Sequence, residues 1–65
     1  MAMNPISQLD IELDNVEAMA LAQFVKRIGW RELRQNAVDD EEAYLMQGSV
    51  SKLQNAMANA GYAPR

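Results

Sequence analysis

The chain has no cysteine and no histidine among its 65 residues. Without cysteine, disulfides and thiolate zinc sites are excluded, and without histidine the usual acid–base group and metal ligand is missing. Long apolar runs are also absent: the longest, "AMALAQFV" at 18–25, is far too short to span a bilayer. No basic segment followed by an apolar one begins the chain, so we predict no signal peptide and a cytoplasmic location.

What is present is typical of a small folded protein, with 49% hydrophobic and 23% charged residues. A chain of this length forms one domain and buries only about 60% of its unfolded surface, so we expect marginal stability for the monomer. Since disulfides and thiolate metals are excluded, oligomerisation or partner binding is the remaining source of stability. The net charge of −3 disfavours generic DNA binding.

The segment "SQLDIELD", 7–14, alternates apolar and polar residues as a β-strand does. We predict a strand over about 6–13, after a disordered N-terminus at 1–5. No other segment has this pattern, so the strand edge lacks a partner within the chain. It therefore pairs with a second copy, adds to another protein's sheet, or stays extended in water. The predicted interface residues are Gln8, Leu9, Asp10, Ile11, Glu12 and Leu13.

Two helices are predicted after the strand, each with an Asp-x-x-Glu start. The first begins at Asp14 and ends before Gly29, where Trp30 is expected to pack on Val25 in a Schellman ending. Because of that contact, Trp30 is assigned to the core. Residues 30–38 are predicted to form a short helical turn.

The second helix begins after Asp39 and ends at Gly61, where Tyr62 is expected to contact Met57. Its apolar residues repeat at spacings of three and four, which favours antiparallel packing against the first helix. They are Ala43, Met46, Val50, Leu53, Met57 and Ala60. The predicted fold class is therefore mainly α, a small α+β domain over 6–62. One N-terminal strand precedes two long antiparallel helices, and a loose tail follows at 63–65.

Catalysis is not predicted. Ser7, Ser49 and Ser51 have no histidine to activate them, and so short a chain rarely encloses a substrate pocket. The acidic run "DDEE", 39–42, fans out around a helix start, where negative charge is favourable, and does not converge on one ion. We predict no enzyme activity, no cofactor, no metal and no small-molecule substrate.

Charged and aromatic side chains supply the other candidate contacts. A possible acidic contact consists of Asp10, Glu12 and Asp14. A possible basic contact consists of Lys26, Arg27, Arg31 and Arg34, which bind phosphate or form a solvated face. Tyr44 lies off the apolar seam of the second helix and is the candidate exposed aromatic.

The order strand, helix, helix resembles the ribbon-helix-helix family of dimers, whose paired strands read DNA in the major groove. The outward positions here are Gln8, Asp10, Glu12 and Asp14, and acidic side chains there repel phosphate. The segment 29–39 is also long for that family. The resemblance therefore implies a dimer without DNA binding.

Residues 12–30, with the pattern "ELD…EA.ALAQF.KRIGW", also resemble small uncharacterised proteins of proteobacterial genomes and mobile elements. A mobile-element context would imply a small inhibitor of host defence, similar to anti-CRISPR proteins.

Three functions follow as hypotheses. The first is a non-enzymatic protein-interaction module that forms a homodimer through its strand. The second is an acidic inhibitor that mimics nucleic acid on a host complex. The third is a regulator that binds nucleic acid through residues 26–34.

Overall fold

The computed structural model describes residues 5–63, which form three helices and no strand. The helices are α1 (Asn15–Arg27), α2 (Trp30–Asn36) and α3 (Asp40–Asn59). The predicted strand followed by two long helices is therefore wrong, since residues 30–36 form a third helix. The disorder predicted for residues 1–4 and the loose tail predicted at 64–65 lie outside the described residues.

Residues 5–14, which we call the arm, have no regular secondary structure. A strand needs a neighbouring backbone to pair with its N–H and C=O groups. Every other backbone element described between residues 5 and 63 is a helix, which satisfies its own backbone groups. The arm therefore has no strand to pair with. Alternation of apolar and polar residues is not enough to make a strand without such a partner.

The start of α1 matches the predicted capping box. The Glu17 N–H donates to Asp14 Oδ1 at 2.7 Å, and the Asp14 N–H donates to Glu17 Oε1 at 3.1 Å. The predicted Schellman ending of α1 is wrong, because Gly29 has an extended backbone with φ −114°. Glu32 accepts the Gly29 N–H at 2.9 Å and so begins α2 immediately.

The ends of α3 follow the sequence closely. Asp39 accepts the Glu42 N–H at 2.9 Å at its start. At its end, Gly61 has a φ of +96°, and its N–H donates to the Ala58 carbonyl at 3.0 Å. The Tyr62 N–H reaches back to the Met57 carbonyl at 2.8 Å. These two bonds define a Schellman motif, and Tyr62 packs against Met57 as predicted.

The core is small and lies where α1 and α2 each pack on α3. Half of its buried side chains are alanines, which let the helices approach closely but bury little apolar surface. The buried residues are Ala18, Ala22, Val25, Leu33, Ala43 and Met57. Met46, Val50 and Leu53 of the predicted seam are half-buried, and Ala60 is exposed. A core of this size predicts a modest free energy of unfolding.

Gly48 within α3 and Gly61 just after its end are expected to respond to alanine in opposite directions. A Cβ on Gly48 would meet no atom within 4 Å, so G48A should raise the free energy of unfolding by about 1 kcal/mol. G61A should lower it by about 1 kcal/mol, because alanine is strained at positive φ. Urea denaturation of both variants tests this pair. Equal shifts in the same direction would contradict the assigned α3 ending.

Candidate functional site

An apolar groove with a volume of about 580 Å³ lies between the arm and the helices. We call it the arm groove. Every lining residue is apolar or aromatic. The arm contributes Leu9, Ile11 and Leu13; α1 contributes Ala18 and Leu21; the end of α3 contributes Leu53, Ala56, Met57, Ala60 and Tyr62.

The arm borders this groove without filling it. Leu9 remains 86% exposed and Ile11 67% exposed. The residues beneath the arm are better packed, since Leu21, Leu53 and Tyr62 lie against the cluster of Ala18, Ala22 and Met57. The helical floor of the groove is thus packed against the core, whereas the apolar side chains of the arm are exposed to water. Three of the predicted interface residues, Leu9, Ile11 and Leu13, line the groove. The other three, Gln8, Asp10 and Glu12, are exposed on the arm and are not part of the lining.

One end of the groove is fixed by Tyr62. Its hydroxyl donates to Asn15 Oδ1 at 2.7 Å, which joins the end of α3 to the first turn of α1. Further along the same pair of helices, the Gln54 side-chain amide donates to the Val25 carbonyl. These two contacts hold α1 against α3 and keep the floor of the groove in place.

The acidic residues have mostly local roles. Five accept a backbone N–H near a helix start, and a sixth pairs with an arginine. In chain order these six are Asp14, Glu17, Glu32, Asp39, Asp40 and Glu42. Of the predicted acidic contact, only Asp10 and Glu12 are therefore left with exposed side chains that make no such bond within residues 5–63.

The predicted basic contact is divided in the same way. Arg34 joins α2 to α3, because its Nε donates to Asp40 Oδ1 at 2.6 Å and its Nη1 donates to the Ala37 carbonyl at 3.1 Å. Lys26, Arg27 and Arg31 are exposed, and no ion pair is formed by them within the described range. These three residues form what we call the basic cluster.

Tyr44 is exposed, and its ring packs on Trp30 with centroids 4.7 Å apart and planes tilted by 40°. Trp30 is exposed as well, so its assignment to the core is wrong. It begins α2 instead of following a Schellman turn, and its indole packs on Tyr44. The pair joins α2 to α3 from outside the core.

Phe24 is a surface residue that the sequence analysis did not select. It is exposed on α1 and lines a second concave surface of about 710 Å³, together with Arg27 and Ile28. Its exposure could have been predicted from its position around the helix. At 100° per residue, Phe24 lies well round the helix from the buried positions Ala18, Ala22 and Val25.

Residues 5–63 also contain neither a metal-binding cluster nor a membrane-spanning helix. No cluster of three or more acidic side chains there is arranged to hold a metal ion. None of the three helices combines the length and hydropathy needed to cross a membrane. The prediction that the protein is not an enzyme stays a prediction.

The fold and the site define a small three-helix domain with an open apolar groove. The chain belongs to DUF7706, a family of unknown function, whose match covers residues 1–65. No curated protein and no solved structure matches the chain. The resemblance to mobile-element proteins stays a prediction.

Proposed function

We propose that the protein is a non-enzymatic protein-interaction module that forms a homodimer, with the arm groove at its interface. The observation that carries this proposal is the arm: Leu9 and Ile11 expose apolar side chains beside a groove whose lining is wholly apolar or aromatic. Apolar surface of this kind, concentrated in one place, is typical of an interaction site.

Burial of this surface would supply the stability that the core lacks. The buried side chains are three alanines together with Val25, Leu33 and Met57. The helices alone therefore remove little apolar area from water. Each square ångström of apolar surface covered by a partner contributes roughly 25 cal/mol before the costs of association are subtracted. A standard interface covers about 800 Å² on each partner. The arm and its groove provide the apolar centre of such an interface.

A second copy is the occupant that fits this surface best. A two-fold interface uses the same patch on both subunits, so the patch must be complementary to itself. Here the arm exposes apolar side chains next to an apolar groove that the arm itself borders, so both features belong to the same chain. A two-fold axis then gives each copy both halves of the contact.

The two nucleic-acid hypotheses gain no comparable support. An inhibitor that mimics nucleic acid needs a dense array of unengaged carboxylates, whereas six acidic residues here stabilise helix starts or pair with Arg34. A phosphate-binding surface made of the basic contact would lack Arg34, because Arg34 forms an ion pair with Asp40. We therefore propose a protein partner.

Removing the apolar side chains of the arm tests the dimer. We expect the wild-type protein to show about twice the 7.3 kDa chain mass by light scattering, and the variant L9S/I11S to dissociate at concentrations where the wild type does not. Both residues are largely exposed, so helix content by circular dichroism should be unchanged.

The matched control is V16S/V38S, which removes two exposed aliphatic side chains that lie outside the arm and do not line the groove. It should keep the wild-type mass across the dilution series. A wild-type monomer at every concentration would refute the homodimer. Equal weakening by both double variants would refute the assignment of the interface to the arm groove.

A further inference from the structure

We infer that Asp10 and Glu12 of each copy contact the basic cluster of the other copy, which sets the two α1 helices antiparallel across the interface. This inference rests on the proposed homodimer and names the contacts that orient it. It assigns a specificity role to charges that the fold of the single chain leaves unused.

The charges that meet in this arrangement form no ion pair within residues 5–63. Asp10 and Glu12 are exposed on the arm, and Lys26, Arg27 and Arg31 are exposed around the α1–α2 junction. The ion pair formed within residues 5–63 joins Arg34 to Asp40 and leaves both groups out. One group is wholly acidic and the other wholly basic, so a surface that brings them together is electrostatically complementary.

The position of the two groups along the chain explains why a second copy is needed. The acidic group precedes the start of α1 and the basic cluster surrounds its end, and a helix of 13 residues is about 20 Å long. Turning a second α1 antiparallel to the first places the start of each helix beside the end of the other. Two equivalent acid–base contacts then form at once, as a two-fold axis requires.

Apolar contacts continue along the same face of α1. Leu21 lines the arm groove, and Phe24 and Ile28 line the second concave surface beside Arg27. The spacing of three and four places these residues along one side of the helix. An arm from the second copy would find an apolar surface there with Arg27 at its edge, and the carboxylate of Glu32, which lines the same surface, accepts the Gly29 N–H. The arm alternates apolar and acidic residues, with Ile11 between Asp10 and Glu12, and so matches both features.

Charge reversal separates this contact from the dimer itself. The variants D10K/E12K and R27E/R31E each place like charges at both contacts, and we expect the dimer dissociation constant to rise about tenfold or more. Combining all four substitutions exchanges the signs of charge at positions 10, 12, 27 and 31 and restores attraction between them. The combined variant also keeps the net charge of −3, because the two pairs of reversals shift it by equal and opposite amounts.

Sedimentation equilibrium at low salt measures all four proteins, with circular dichroism to confirm that each keeps its helices. The expected result is weak dimers for the two double variants and wild-type dimerisation for the combined one. If no charge reversal changed the dimer dissociation constant, the acid–base contact would be refuted but the homodimer would not. Double variants that weaken without recovery in the combination would also overturn that contact. A monomeric wild type would refute the homodimer itself.

Discussion

Replacing Leu33 with alanine is expected to lower the free energy of unfolding by about 2–4 kcal/mol. Leu33 is 6% exposed and is the buried side chain of α2. A helix of seven residues is too short to be stable alone, so its position depends on this contact with α3. In a protein whose core consists largely of alanine, such a loss removes much of the total stability.

Urea denaturation at one fixed protein concentration measures the change, since a dimer would make the midpoint concentration-dependent. The matched control is L45A, the same substitution at a helical position that is 64% exposed. That variant should change stability by less than about 0.5 kcal/mol. Similar losses in both variants would show that Leu33 is not packed as described.

Tryptophan fluorescence adds a local measurement to the same experiment. Trp30 is the only tryptophan, and its ring packs on Tyr44 across the α2–α3 junction. If L33A loosens α2 before the rest unfolds, the fluorescence transition should precede the loss of helix measured by circular dichroism. The variant then reports whether α2 is a separate unit of stability, as few buried contacts would suggest.

The helix ends that the sequence predicts correctly are those decided by neighbouring residues. Asp14 and Glu17 form both bonds of a capping box within four residues of chain. Gly61 ends α3 because it adopts positive φ without strain. The N–H of the next residue, Tyr62, then donates to the Met57 carbonyl. Such contacts span only a turn of helix, so their residue types and spacing are sufficient to identify them.

The ending of α1 was not predictable in the same way, because two local signals compete at Gly29. A glycine after an apolar stripe is typical of a Schellman ending, but Glu32 lies three residues further on and captures the Gly29 N–H. The chain therefore enters α2 through extended backbone. The consequence reaches the surface, since Trp30 then packs on Tyr44 and not in the core.

The arm shows where sequence pattern alone fails on the fold. Alternation at Leu9, Ile11 and Leu13 indicates that one side of the segment is apolar, and these residues do line a common groove. A strand also requires a paired backbone, and the pattern carries no information about whether the chain supplies one. The apolar side was thus predictable, whereas the secondary structure was not.

The charged site was predictable only as a set of residue types. Four basic residues close together in sequence suggested one surface. In the folded chain, however, Arg34 forms an ion pair with Asp40. Asp14 is likewise taken by the capping box, which leaves Asp10 and Glu12 on the arm. Which charges remain for a partner depends on tertiary contacts, and residue types in the sequence do not specify these contacts.

Replacing Met57 with alanine is the second change expected to have a large effect, lowering the free energy of unfolding by about 2–4 kcal/mol. Met57 is 8% exposed and is the largest buried side chain in the cluster that joins α1 to α3. M19A provides a matched control, because Met19 lies on α1 and is 44% exposed. Its loss should be below about 1 kcal/mol.

Met57 also forms part of the floor of the arm groove, so the same variant connects stability to association. A cavity beneath Leu21 and Tyr62 would weaken the surface that supports a partner, and we expect M57A to lower dimer affinity as well as stability. M57L should recover most of both, because a swap of similar volume usually costs less than about 1.5 kcal/mol. Light scattering beside urea denaturation measures the two effects. If M57A lost stability but dimerised like the wild type, the interface would have to lie away from the groove floor, on the outer side of the arm and α1.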